Sequence, residues 1–197
     1  MKTRDRYEQA MTWFEQNMPI AESELNFENE YQLLVAVMLS AQCTDKRVNL
    51  VTPALFTAYP TIADLADSTA AEVLNYIRSV SYPNSKAEHL VQMAKRVVEV
   101  YGGEIPNTRE ELQTLAGVGR KTANLLLGDL YAVPGSVVCD THCMRICERL
   151  GLSKGRDPEK VEKALRAILP PEESSDFCHR IVLFGREICT SQRPQCD

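Results

Sequence analysis

The chain has 197 residues, of which 44% are hydrophobic and 25% charged, so it can form one globular domain or two small ones around a core. Its net charge of −5 argues against binding nucleic acid through an overall basic surface, although a local basic face is compatible with that sum. No apolar run approaches the roughly 20 residues that span a bilayer, and the N-terminal residues show no secretion signal, so we expect a cytoplasmic protein without a membrane segment.

Helical patterns account for nearly the whole first half of the chain. The run from Leu33 to Leu39 is continuously apolar, which predicts a buried central helix. The helix that ends the first half is expected to stop at the glycine pair 102–103. Polar residues that can cap a helix precede the three patterns after the central one, at Thr44, at Ser68 or Thr69, and at Asn84 or Ser85.

Two short helices with a glycine turn between them are predicted next. The first helix runs from about Arg109 to Leu115, Gly117-Val118-Gly119 forms the turn, and Arg120 and Lys121 open the second helix. Glycine at both turn positions permits positive φ and leaves the backbone bare. The N–H groups that enter the second helix lie at the positive end of a dipole and suit a phosphate. An ordinary helix–turn–helix connection explains the glycines equally well.

The remainder of the chain predicts helices rather than strands. Asp140 can cap the helix THCMRICERL, and Asp157 before Pro158 opens a helix that lasts until Pro170. Ser174 or Ser175 can cap the last helix. The segment GSVVC is too short to seed a sheet, so the predicted fold class is all-α.

Five segments carry the motifs of a known family: LAGVGRKTANLLL, VVCDTHCMRICERLGL, LLVAVMLSAQCTDKRVN, NSKAEHL and HRIVLFGREICTSQRPQC. The first resembles the helix-hairpin-helix motif of the endonuclease III family, the second its segment with the catalytic aspartate, and the last the start of its iron–sulfur cluster loop. The likeness covers roughly residues 27 to 196. It implies a monomeric, nucleoid-associated repair enzyme whose partner is double-stranded DNA with a damaged base or an abasic site.

The resemblance places the family's nucleophile at Lys121 and its essential carboxylate at Asp140. A lysine amine must be neutral to attack the sugar C1′, and a helix N-terminus beside Arg120, with partial burial, disfavours the ammonium form. The simpler alternatives are a phosphate contact for Lys121 and a helix N-cap for Asp140. A capping carboxylate could still stabilise a positively charged sugar. Thr141 and His142 are expected beside DNA, His142 as a structural hydrogen-bonding residue.

The resemblance also implies that side chains fill the gap left by an extruded nucleotide. Gln42 takes the place of the residue that the family inserts into the duplex, and Tyr82 takes that of a second, apolar wedge. The chain departs from the family here, because Ser81 stands where glycine is usual and Pro83 follows Tyr82. A local basic face could include Lys46, Arg47, Lys86, Arg120, Arg145 and Arg149.

Seven cysteines in a chain expected to be cytoplasmic predict metal ligands or buried thiols rather than disulfides. By resemblance, Cys189 and Cys196 take the first two places of the family's C-x6-C-x2-C-x5-C run, which holds a 4Fe-4S cluster. The chain ends at Asp197, and two thiolates cannot complete that ligand set, so we expect a shortened chain rather than a lost cluster. The other five are expected to be buried packing residues: Cys43, Cys139, Cys143, Cys147 and Cys178.

These features predict a two-part helical enzyme. Residues 26–134 would form a helical domain with the hairpin at about 109–131, residues 1–25 and 135–197 a second domain, and the active-site cleft would lie between them. The predicted activity is that of a bifunctional DNA glycosylase and AP lyase that removes oxidised pyrimidines through a lysine Schiff base. The alternatives are an adenine-mismatch glycosylase, which typically lacks a lysine at this position, and a non-catalytic hairpin module that only binds DNA.

Overall fold

The computed structural model describes residues 2–20 and 22–195, and every regular element in those ranges is helical, as predicted. A single 3-10 turn, Pro171–Glu173, precedes the last helix. No helix of the described residues is long and apolar enough to cross a membrane. The helices are α1 (Thr3–Asn17), α2 (Glu30–Ser40), α3 (Asp45–Ala58), α4 (Ile62–Ala66), α5 (Ala70–Ile77), α6 (Pro83–Tyr101), α7 (Arg109–Leu112), α8 (Arg120–Tyr131), α9 (Thr141–Arg149), α10 (Pro158–Arg166) and α11 (Ser174–Glu187).

The chain forms two compact units, and one of them is discontinuous in sequence. The central unit is Glu24–Leu126, and the terminal unit combines Met1–Ser23 with Leu127–Asp197. The division falls within α8. The boundaries at residues 26 and 134 that the sequence analysis gave for the two domains remain a prediction.

The central unit is built around α2. Every side chain from Leu33 to Leu39 is buried, as the continuous apolar run predicted. Helices α3 and α6 pack on α2, and α4 and α5 pack on α6. Each fully buried leucine of this core stabilises the fold by about 1.5–3 kcal/mol relative to exposure. The two ends of α2 are therefore held in a fixed place within the unit.

Threonine side chains begin four helices of the central unit. The hydroxyl of each accepts a hydrogen bond from the backbone N–H three residues on, which satisfies a donor that the helix leaves unpaired. The predicted caps at Thr44 and Thr69 are confirmed. The start of α6 was predicted wrongly, because the helix begins at Pro83, where a missing N–H costs nothing in the first turn. Gly102, in the left-handed conformation, ends α6 as expected.

The core of the terminal unit joins α1 to α9, α10 and α11. Tyr7 and Phe14 of α1 contact the ring of Phe177, with centroids 5.5 and 6.4 Å apart. Beside them lie four buried thiols, as predicted for Cys139, Cys143, Cys147 and Cys178, whereas Cys43 of the central unit is only half-buried. Hydrogen bonding to the other three thiols, and then burial, raises the pKa of Cys143 well above its usual value. Cys143 therefore packs as a protonated, weakly polar core residue.

The last two helices start close to the predicted positions. Asp157 caps α10 by accepting from the backbone N–H groups of Glu159 and Lys160, and Pro158 is its first residue. Ser174 is the first residue of α11 rather than its cap, because the 3-10 turn leads directly into the helix. Helix α11 packs on α9 and so fixes the position of the segment that begins with Asp140.

Candidate functional site

The glycine turn of the predicted hairpin lies between α7 and α8. Helix α7 ends at Leu112, three residues before the predicted Leu115. The N–H of Val118 donates to the carbonyl of Leu115 at 3.1 Å, and Gly119 directly precedes α8, its carbonyl accepting from Ala123 at 2.9 Å. Val118 is buried, so it anchors the turn, and only its backbone is placed to meet a ligand. The predicted hairpin connection is present in the structure.

Glycine is present at the two positions of the turn for different structural reasons. Gly117 has φ +77°, and a Cβ there would meet His89 and Met38 at 3.1 Å. Gly119 does not adopt positive φ, and a Cβ there would meet nothing within 4 Å. The prediction that both glycines permit positive φ is therefore correct only for Gly117. At Gly119 the bare backbone faces open space, where an anion can approach the first turn of α8.

Lys121 is the second residue of α8 and is exposed, whereas Arg120 beside it is half-buried. The partial burial expected for Lys121 is therefore not present. What remains of the expected setting is the helix N-terminus and the adjacent guanidinium. The helix N-terminus places partial positive charge near the amine, and Arg120 is the residue directly before it in the chain.

Gln42 lies in a tight turn that follows α2. The N–H of Cys43 donates to the carbonyl of Ser40 at 3.0 Å, Ala41 has φ −56° and ψ 113°, and Gln42 has φ 53°. This is the arrangement of a type II turn, whose third residue needs positive φ and is usually glycine or asparagine. A glutamine at this position is strained, and its side chain is exposed.

Tyr82 is the second exposed non-glycine residue with a left-handed backbone in this unit. Its φ and ψ are 54° and 51°, directly before Pro83, although a residue before proline favours extended backbone. Its side chain is 67% exposed. An aromatic ring held away from the core in this way is available to stack on a planar ligand.

Hydrogen bonds join the loops of Gln42 and Tyr82. The hydroxyl of Ser81 donates to the carbonyl of Gln42 at 2.6 Å. The ammonium of Lys86, on the first turns of α6, donates to the carbonyls of Leu39 and Ala41, both at 2.7 Å. The loops line one side of a pocket of about 220 Å³, whose other walls include Met38, His89 and Gly117. The structure thus brings Gln42, Tyr82 and the hairpin turn together.

Sequence reasoning missed the role of Lys86. The residue is only 8% exposed, so its assignment to an exposed basic face was wrong, and burial lowers its pKa. The spacing of apolar residues in α6 could have predicted that Lys86 is buried, because it shares its face of the helix with the buried residues Leu90, Met93 and Val97. Lys46 and Arg47, at the first turn of α3, are exposed.

In the terminal unit, Asp140 caps α9. Its Oδ1 accepts from the backbone N–H of Cys143 at 2.7 Å, and Thr141 opens the helix as an exposed residue. His142 is half-buried, with Nδ1 3.1 Å from Nη2 of Arg145. The same Nη2 donates to the carbonyls of Gly185 and Cys189. Arg145 thus ties α9 to the end of α11 instead of forming part of an open basic face.

Cys189 follows α11 and is buried. Nη1 of Arg149 lies 2.9 Å from its Sγ and also donates to the carbonyl of Thr190. Cys196, the other predicted cluster ligand, lies outside the described residues. Within the described ranges, no group of three or more His, Cys, Asp or Glu side chains could hold a metal ion. These residues alone do not fit a four-cysteine cluster.

Comparison with known proteins gives consistent matches over most of the chain. Residues 35–171 match the model of the HhH-GPD superfamily base excision DNA repair protein. The endonuclease III of Synechocystis sp. is 41% identical over 178 residues, 90% of this chain and 81% of that protein. The endonuclease III of Escherichia coli K12 is 37% identical over 186 residues, 94% of this chain and 88% of that protein.

Solved structures match the fold as well. A trapped endonuclease III–DNA covalent intermediate superposes with a TM-score of 0.94 at 39% identity, covering 100% of this chain and 92% of that one. A thermostable thymine-DNA glycosylase, 20% identical, has a TM-score of 0.83 over 98% of this chain and 91% of its own, and shares the fold.

Proposed function

The chain belongs to the endonuclease III family within the HhH-GPD superfamily, and from this premise we propose which of its residues carry out the family's reaction. The protein is a base-excision DNA glycosylase and AP lyase that binds DNA. We propose Lys121 as the nucleophile, Asp140 as the assisting carboxylate, and oxidised pyrimidines as the substrate class. The observation that carries the proposal is the position of Lys121, exposed on the first turn of a helix behind a glycine hairpin.

The reaction begins with the neutral amine of Lys121. Its lone pair forms a bond to C1′ as the glycosidic bond breaks and the damaged base leaves with the bonding electrons, then takes up a proton. Loss of the nitrogen-bound proton and opening of the sugar give an imine at C1′, which acidifies the C2′ hydrogen. Removal of that proton expels the 3′ phosphate by β-elimination, and water then releases the lysine. A single amine thus supports both steps.

Asp140 supplies negative charge while the sugar carries positive charge. Oδ1 already accepts from the N–H of Cys143, which orients the carboxylate on the first turn of α9. A carboxylate held in advance loses little free energy to reorientation when charge develops on the sugar. We therefore assign Asp140 an electrostatic role that is compatible with its role as a cap.

The hairpin and the two loops bind the duplex. The backbone of Gly117, Val118 and Gly119, with Arg120, would hold phosphate, which fixes position without reading sequence. Gln42 and Tyr82 would fill the space left by the extruded nucleotide. Thr141 would lie beside the DNA and His142 would support α9 through Arg145.

Borohydride trapping on DNA with one abasic site tests the role of Lys121, and single-turnover excision of a damaged base tests that of Asp140. The unaltered protein should form a covalent adduct and Lys121→Ala none, whereas Lys95→Ala, a change of an exposed lysine on α6, should trap normally.

Asp140→Asn retains a capping oxygen but removes the charge, so excision should fall by about 100-fold or more while stability changes little. A Lys121→Ala variant that still cross-links would refute the assignment. Binding without any adduct in the unaltered protein would favour the non-catalytic module.

A 4Fe-4S cluster is a narrower proposal. The family resemblance implies it, with Cys189 and Cys196 as two of the ligands, and the buried position of Cys189 beside Arg149 suits a ligand shielded from water. Two thiolates besides those of Cys189 and Cys196 would be needed to complete the ligand set. Iron and acid-labile sulfide analysis of the purified protein, with its visible absorbance, tests this, and a colourless, iron-free protein of full activity would contradict it.

A further inference from the structure

Among the described residues of the central unit, Gln42 and Tyr82 are the two non-glycine residues with positive φ. Both residues have φ near +54° without being glycine, and both side chains are exposed. Such a backbone persists only where its surroundings hold it. The groups that hold these loops are therefore part of what the loops do.

The first of these groups is the buried ammonium of Lys86. Its two hydrogen bonds end on Leu39 and Ala41, the carbonyls at the C-terminal end of α2, which have no partner within the helix. A positive charge is favourable at this end of a helix dipole. Lys86 therefore fixes the chain at the residue directly before Gln42.

The second group is the hydroxyl of Ser81. It donates to the carbonyl of Gln42 itself and lies directly before Tyr82, so one hydrogen bond joins the two loops. A glycine at position 81 has no side-chain hydroxyl to make this contact. The backbones that carry the two exposed side chains are in this way held in one arrangement.

We propose that Ser81 and Lys86 are positioning residues that hold Gln42 and Tyr82 ready for insertion into the duplex. The inference rests on the insertion role proposed above for these two side chains. A wedge held in advance reduces the ordering that binding requires, so it favours the extruded state of a paired base. This positioning should have a much smaller effect on DNA in which the base is already missing, because no paired base has to be extruded there.

Two single-turnover assays separate positioning from a general structural role. One measures excision from a duplex with a single thymine glycol, and the other measures borohydride trapping on the same duplex with an abasic site. Lys86→Met, Ser81→Gly and Ser81→Ala should lower excision by between about tenfold and a hundredfold, because a small misplacement has that effect. Trapping should fall less than about threefold, a barrier change below 1 kcal/mol. Ser81→Thr, which retains the hydroxyl, should restore excision.

Matched controls use the same changes at exposed positions. Lys95→Met on α6 and Ser79→Ala in the preceding turn should change neither rate. Equal losses of excision and trapping in Lys86→Met would mean a structural role only and would overturn the proposal, as would no loss in either assay.

A double-mutant cycle links the effect to Gln42. In a Gln42→Ala background, Lys86→Met should lower excision by much less than it does alone, because the side chain that it positions is absent. Full additivity would overturn the proposal. If Gln42→Ala alone does not reduce excision, the insertion role fails first, and if the unaltered protein neither excises nor traps, the proposed function fails instead.

Discussion

At the scale of single residues, strain coincides with proposed function. Gln42 occupies the turn position that usually takes glycine, and Tyr82 is left-handed in front of a proline. Each carries a steric penalty of about 1–2 kcal/mol that a glycine would avoid. Both are exposed, so packing of their own side chains does not compensate for it. The proposed contacts with DNA would explain why a side chain is present at these two positions.

Gln42→Gly should therefore separate stability from activity. Glycine adopts φ of 53° freely, so the free energy of unfolding should stay constant or rise by up to about 1 kcal/mol, while excision from a paired lesion falls. Urea unfolding and single-turnover excision measure the two effects. As a control, Gln92→Gly on the exposed side of α6 should lower stability by about 1 kcal/mol and leave excision unchanged. An equal loss of stability in both variants would contradict the interpretation.

At the scale of elements, the hairpin shows how a turn can be fixed on one side and open on the other. Gly117 faces His89 and Met38, and Gly119 faces open space. The same residue type thus serves packing at one position and access at the other. Sequence alone gives no way to assign the two roles, because they depend on what α2 and α6 place behind the turn.

The two glycines should respond differently to substitution. Gly117→Ala should lower the free energy of unfolding by about 1–3 kcal/mol, since the new methyl group is strained and crowded. Gly119→Ser should change stability by less than about 0.5 kcal/mol, because serine caps a helix well, and should weaken binding to abasic-site DNA. Chemical denaturation and fluorescence anisotropy provide the measurements. Unchanged DNA affinity in Gly119→Ser would exclude the hairpin backbone as the phosphate site.

A largely buried pair links α8 to α11 within the terminal unit. Nε2 of His179 lies 2.8 Å from Oδ1 of Asp129, which also accepts from Ser175 at 3.1 Å. The two side chains are 17% and 9% exposed, respectively. Burial lowers the pKa of His179, but the hydrogen bond and the charges of Asp129, Asp176 and Glu22 outweigh it and raise the pKa above its usual value.

This pair predicts a pH-dependent contribution to stability. Because the folded-state pKa of His179 is raised, its contribution is fully present below about pH 6.5, the unfolded value, and is lost as pH rises through the folded value. The difference in unfolding free energy between the unaltered protein and His179→Gln should shrink across that window. Asp129→Asn, the control, should remove most of the dependence. A difference that is constant with pH would refute the prediction.

At the scale of the whole molecule, the terminal unit takes its core from both ends of the chain. Phe14 of α1 is 2% exposed and contacts the rings of Phe177 and Phe184, so the first helix completes a core formed mostly by residues after Leu127. The central unit, Glu24–Leu126, has its own core around α2. A mutation that removes packing from one core should therefore destabilise its own unit first.

Phe14→Ala tests this organisation. The cavity should lower stability by about 3–5 kcal/mol, and amide hydrogen exchange should increase in residues 127–195 far more than in residues 24–126. Leu50→Ala, at a position 63% exposed, should change stability by less than about 0.5 kcal/mol. Equal increases in exchange across both units would show that they unfold as one.

The sequence by itself determined the helical class, the family and the candidate side chains. Apolar periodicity and capping residues are local, and Lys121, Asp140, Gln42 and Tyr82 stand in recognisable motifs. Only the tertiary structure decided which carbonyls Lys86 reaches, that Ser81 joins two loops, and that Gly117 and Gly119 differ. Each of these depends on atoms from segments distant in the chain, and neither residue type nor spacing encodes which carbonyl a side chain will reach.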